Sequence, residues 1–384
     1  MWRSGLFQRL ILVAAVATAR LPAATLSAGE TFQLGERLAT LTTIDTLPYV
    51  DDEYTRRFRF DAFDNPRLAE LRTRYQLDSV VAPANEEFER QVLLNDWSHA
   101  QFARFGRPST NVQGALDVLN ACQQGHTFFC RQYAEVLLSA AASLGWVGRP
   151  LALRRHQGVN QADGSTEHAV IELWSNQYRK WVMWDPTSKL YLERHGTPLN
   201  AFEIRQEWFY RQGSNLTFVI GKERQRRRTT DLPIPIKDFP EFGRLAVHPD
   251  ELDKYGFIGY IPNNDLMDSG YAYDRMFITK DTLCDQTSWH VRQKPARPDL
   301  DPYFPVGQAA MELHLDRGTI QVRLRTLTPN FDRYERRQDG GDWERASADF
   351  EWRVRPGTNQ LEARTVNRFG VPGPTASARC VVNR

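Results

Sequence analysis

Cys130, His168 and Asp185 follow one another in that order along a chain of 384 residues. Brought together, a thiol, an imidazole and a carboxylate can carry nucleophilic acyl transfer: the sulfur attacks a carbonyl, the ring holds and moves the proton, and the carboxylate orients the ring. The chemistry needs the sulfur as thiolate, and it needs N–H donors where negative charge gathers on the attacked carbonyl. Position supplies the first condition. Phe128 to Leu144 is the strongest helical run in the chain: Ala134, Leu137, Leu138 and Ala141 form one apolar stripe, Thr127 is placed to cap it and Gly145 to stop it. Cys130 therefore falls in an opening turn, where unpaired backbone N–H groups and the helix dipole favour an anion. His168 opens an alternating run to Trp174, and after the polar turn Ser175-Asn176-Gln177 the run Trp181 to Pro186 reads as the return strand. That hairpin would carry Asp185 back beside His168, where it can accept the second ring N–H. A single cysteine on an apolar helix is ordinarily a small buried residue; the ordered set of three is what points to chemistry.

The stretches around these residues are Phe129-Cys130-Arg131-Gln132-Tyr133-Ala134, Leu144-Gly145-Trp146-Val147-Gly148-Arg149, Glu167-His168-Ala169 and Trp184-Asp185-Pro186. In joint order and spacing they resemble the transglutaminase-like superfamily of papain-related cysteine enzymes, over about residues 115 to 190. The resemblance implies a papain-like α+β core, a nucleophile at Cys130, a base at His168 and an orienting acid at Asp185, acting on amide bonds through a thioester. Animal crosslinking members carry a tryptophan directly after the cysteine, whereas this chain has Arg131. That departure points away from crosslinking and toward the bacterial branch of peptidases, amidases and domains of unassigned activity. As in papain-like enzymes, a glutamine upstream of the thiol is the candidate second oxyanion donor: Gln124 is six residues before Cys130, and Gln123 competes with it. Trp97 is a further candidate for the substrate site, although its place in an apolar stripe favours core packing.

The elements that must position these groups divide the chain. Residues 1–28 read as a secretory signal, with Arg3 and Arg9 ahead of the apolar run Leu10 to Thr18 and Ala17-Thr18-Ala19 as a cleavage site. Pro66 to about Leu144 is mainly helical, and with the hairpin it makes residues 29–220 the expected cysteine domain. The basic cluster Lys222 to Arg228 and the prolines that follow suggest an exposed connection, and 221–302 a linking region of mixed structure. From residue 303 onward short alternating runs separated by turn residues predict a small immunoglobulin- or fibronectin-like β-sandwich. The fold expected is thus α+β, a papain/transglutaminase-like core with a helical amino-terminal region, plus a carboxy-terminal all-β unit.

Export, to a periplasm or outside the cell, would permit disulfides, and Cys284 with Cys380 is the pairing expected, tying the linking region to the last strand. Lys and Arg total 49 against 47 Asp and Glu, a net charge of +2, which leaves no excess field for nucleic acid. No segment after the signal is apolar and long enough to form a membrane span. No zinc, nucleotide or dinucleotide motif occurs, so no cofactor or metal is expected. The expected partner is a peptide or protein substrate, or a cell-envelope polymer. The competing expectation, from another class, is a non-catalytic surface protein that uses the same fold as a binding scaffold.

Overall fold

In the computed structural model, residues 24–155, 167–239, 243–279, 294–296 and 301–384 are described. They form a mixed α/β protein with seven helices and several largely antiparallel sheets. The signal expected at residues 1–28 lies almost wholly outside the described residues.

The helices are α1 (Pro66–Arg74), α2 (Leu77–Val81), α3 (Glu87–Ala100), α4 (Ala115–Gln123), α5 (Cys130–Ser143), α6 (Ala201–Arg211) and α7 (Pro249–Asp253). α5 is the axis of its region. α1, α3 and α4 pack around it, and its remaining side lies on the strands Gly148–Arg154 and Glu167–Ser175. Tyr133, Ala134, Val136, Leu137, Leu138, Ala140 and Ala141 are all fully buried, so the helix is apolar well beyond the single stripe its sequence displays, as an enclosed helix must be. Thr127 does not cap it. Its hydroxyl donates to the Arg107 carbonyl at 2.6 Å, and Phe129, with no side-chain cap, stands at the amino end instead. Gly145 does stop the helix: it has φ +84°, and a Cβ there would lie 2.5 Å from the Cβ of Phe369. Its carbonyl accepts a 2.9 Å bond from the Asn367 side-chain amide.

The hairpin forms as its alternation predicts, with Leu173 opposite Val182 and Ile171 opposite Trp184. It belongs to a six-stranded sheet in the order Lys294–Ala296, Phe277–Thr279, Phe257–Tyr260, Gly148–Arg154, Glu167–Ser175, Lys180–Trp184. Phe257–Tyr260 pairs along its whole length with Gly148–Arg154. Strands on both sides of the break expected at residue 220 therefore belong to one continuous sheet. The basic cluster is an exposed edge strand, Gln225–Arg228, paired to Thr217–Ile220, and Arg226 meets Glu193 at 2.9 Å.

Two further sheets share one apolar cluster that includes Leu26, Leu41, Leu313, Val322, Trp352, Leu361 and Cys380. One holds Ala24–Thr25, Ala310–Asp316, Thr319–Arg325 and Asp349–Trp352; the other runs Glu344–Ala346, Phe331–Gln338, Gly357–Asn367, Ala376–Val382, Arg37–Asp45, Thr31–Leu34. Residues 24–45 thus join strands more than 260 positions away, not the helical region to which the expected boundary at residue 29 assigns them. Alternation in Arg37–Asp45 buries Ala39 and Leu41, but it carries no information about which sheet receives them.

Candidate active site

Cys130 is the first residue of α5, at the end where free N–H groups converge. The amide of Ala169 donates to its sulfur at 3.3 Å. The neighbouring residue, His168, places Nε2 3.0 Å from Oδ2 of Asp185, which leaves Nδ1 as the ring nitrogen for the sulfur. Asp185 follows the last paired residue of the hairpin and opens a tight turn, its Oδ1 accepting from the backbone N–H groups of Thr187 at 2.9 Å and Ser188 at 3.2 Å. The Asp-Pro-Thr-Ser sequence is suited to such a turn. Three side chains separated by up to 55 positions, counting from 130 to 185, are thereby drawn into one cluster.

The electrostatics follow from that packing. Burial by itself favours a neutral His168 ring. The charge and hydrogen bond of Asp185, with those of the Cys130 sulfur, overcome it and hold the imidazole well above its ordinary range. Burial likewise opposes ionisation of Asp185, and His168 and the Ser188 bonds outweigh it, so its carboxyl titrates below the usual value. An imidazolium between a carboxylate and a sulfur is the charge state a thiolate nucleophile requires.

A residue absent from the sequence expectations supports the aspartate. His99, buried near the end of α3, reaches the carbonyls of Thr187 at 2.9 Å and Pro186 at 3.3 Å through Nδ1. Burial first, then the charges of Lys237 and Lys189, lower its pKa to about 4, so it is neutral and its Nδ1–H is the donor to both carbonyls. Only a buried histidine on an apolar helix face marks it in the sequence, and that pattern is common.

The cluster opens onto a groove of about 1070 Å³. Phe129, Cys130, Arg131, Ala169, Thr187 and Ser188 line it from the helix end and the hairpin; Tyr271, Tyr273, Leu245, Glu251 and Lys254 line it from the segment expected to be a linker.

Two expected site residues are not in it. Gln124 is exposed just past the carboxy end of α4 and does not line the groove. It stands there because α4 stops at Gln123 and Gly125, with φ +83°, turns the chain away; Gln123 is equally exposed. Trp97 packs among the helices, its ring edge-on to Tyr75 at 5.8 Å, since burying the indole against the α5 core is the stronger demand. The Cys284–Cys380 pairing expected from the sequence falls partly outside the described residues. Cys380 is a free thiol, wholly buried opposite Leu41 between the two sheets, and burial pushes its pKa up to about 11; Cys284 lies outside the described residues. Cys122 is also free, and burial raises it to about 12.

Among the described residues no group of three His, Cys, Asp or Glu is arranged to hold a metal ion, and no helix is long and apolar enough to cross a membrane. No protein-family model matches this chain. No curated protein matches it either. Among solved structures it is similar to one titled "Putative Cysteine Protease", from Cytophaga hutchinsonii, at 15% sequence identity and a TM-score of 0.28; the overlap covers 39% of this chain and 49% of that one. The likeness thus spans about half the length of that structure, and at such a score it assigns neither fold nor activity.

Proposed function

We propose that the chain is an exported cysteine enzyme of the papain-related, transglutaminase-like kind, acting on amide bonds, with Cys130, His168 and Asp185 as its catalytic residues and a β-sandwich appended. The observation that carries the proposal is the linked contact of sulfur, imidazole and buried carboxylate at the floor of a groove. A scaffold has no use for a carboxylate buried against an imidazole at the cost of its hydration.

The reaction follows from the charges. The Cys130 thiolate adds to the amide carbonyl carbon, forming the C–S bond, while its negative charge moves onto the carbonyl oxygen near the free N–H groups of α5. As the intermediate collapses the C–N bond breaks, and the His168 imidazolium gives its proton to the departing amine. The ring, now neutral, takes a proton from water as that water attacks the thioester; the acid leaves and the thiolate–imidazolium pair is restored. Asp185 holds the ring throughout. Hydrolysis is proposed over transfer to an amine because the tryptophan that follows the nucleophile in crosslinking relatives is replaced by Arg131.

Iodoacetamide labelling of Cys130 at pH 6, read by peptide mapping, tests the proposal. Fast labelling that falls at least tenfold in His168→Ala is expected. Labelling at the rate of an ordinary thiol, unchanged by the substitution, would establish the scaffold instead. Incubation with a peptide library, with and without a primary amine, then separates hydrolysis from transfer.

A further inference from the structure

The charges that line the groove are matched with one exception. Lys254 meets both carboxylate oxygens of Glu251 at 2.8 Å, Arg154 stands 3.9 Å from Glu167, and His168 is satisfied by Asp185. Arg131 lines the same groove, yet no carboxylate among the described residues makes a direct ion pair with it. The carboxylate that acts on it, Glu135 one turn along α5, does so without contact and accepts instead from the Gly114 amide at 2.6 Å. Its Nε is sealed from solvent without a hydrogen-bond partner.

The side chain is nevertheless held in place. Its guanidinium lies over the Tyr271 ring at 4.5 Å and over Tyr273 at 6.0 Å, two rings that stack on each other 5.7 Å apart. The Tyr271 hydroxyl donates to the Arg131 carbonyl at 2.9 Å. Stacking covers the face of a guanidinium and leaves its in-plane N–H donors for a ligand. Those donors match a carboxylate in a two-bond fork. The residue is also the immediate neighbour of the nucleophile, about 3.8 Å away from Cα to Cα, so whatever it binds must flank the attacked carbonyl.

The geometry points to Arg131 as the specificity residue of the site, selecting amides that carry a carboxylate beside the scissile bond. This rests on the cysteine-enzyme reading above. The selection works by leaving a partly desolvated cation unpaired whenever a neutral substrate occupies the groove.

The test uses the full chain and two reagents of nearly equal size, anionic iodoacetate and neutral iodoacetamide, with the Cys130 adduct mapped. The ratio of their labelling rates, which cancels any change common to both reagents, should fall about tenfold in Arg131→Gln, the order expected for one hydrogen-bonded charge. Arg131→Lys, which retains the charge but not the fork, should recover part of the ratio, showing that a folding defect is not the cause. Fast Cys130 labelling with a ratio indifferent to Arg131→Gln would overturn this inference and leave the enzyme reading standing; slow labelling of the unaltered protein by both reagents would overturn both. The source of the carboxylate is read from two peptide pairs, one differing by Glu or Gln beside the cut and one by a free or amidated carboxy terminus. Discrimination within either pair that is lost in Arg131→Gln identifies that source, and no discrimination within either overturns the inference.

Discussion

His168 and Glu172 stand four residues apart on one strand, and each faces an opposite charge, but the two pairs live in different physical worlds. Arg149 and Glu172 are fully buried. The carboxylate accepts from Nε and Nη2 of Arg149, the Ala201 amide and the Tyr303 hydroxyl. The guanidinium also donates to the Pro302 carbonyl and is boxed by Trp181 at 4.2 Å, Tyr260 at 5.0 Å and Tyr303 at 5.1 Å. Every lone pair has a partner, so nothing is left to react; the pair pins the sheet to the segment around 302. The His168–Asp185 pair keeps one side toward a groove and one ring nitrogen toward a sulfur. The lesson is that satisfaction makes a buried charge structural, and an open valence makes it chemical.

The comparison can be broken from either side. Asp185→Asn removes the charge that holds the imidazolium but leaves the turn; we expect amide turnover to fall on the order of 10⁴-fold, as for the equivalent change in a serine triad, with little change in melting temperature. A loss of folding with activity per folded molecule intact would make the pair structural after all. Glu172→Ala should do the reverse. Stranding Arg149 inside its aromatic box should cost about 3–5 kcal/mol in denaturant unfolding, with the Cys130 labelling rate kept in the molecules that remain folded.

Asp61 supplies the case of a buried carboxyl without a well-formed pair. Neither of its oxygens is satisfied by a good hydrogen bond, and burial first, then the charges of Asp265 and Asp268, push its pKa up to about 7. The folded state therefore holds a proton that the unfolded state gives up above about pH 4. Stability is undiminished below that value and drains as pH climbs toward 7. Asp61→Asn should raise the melting temperature by a few degrees at pH 8 and by less at pH 5. An equal shift at both values would mean the carboxyl is already satisfied.

Much of the site was legible because it depends on neighbours close in the chain. The α5 stripe and Gly145 locate the helix, and the helix locates Cys130 at its amino end; alternation on either side of Ser175-Asn176-Gln177 sets the hairpin that delivers Asp185 to His168. Gln124 shows where this reasoning fails. Six residues upstream is a short distance, yet one glycine with positive φ between them sends that side chain to solvent. Arg131 was visible only as a departure, since its stacking partners lie 140 residues later in a segment without periodicity.

By itself, then, the sequence determined the local frame: a helix opening on a thiol, a hairpin bringing imidazole and carboxylate level, and runs of alternation that must become strands. Periodicity, capping and turn chemistry act over a few residues and can be read in order. It took the folded chain to show that residues 24–45 contribute strands to two sheets formed with the far end of the chain, that 257–279 walls the groove, that His99 braces the Asp185 turn, and that Trp97 and Gln124 stay outside. Those outcomes turn on which remote surfaces exclude water from each other, and an alternating strand advertises its buried face without naming the partner that buries it.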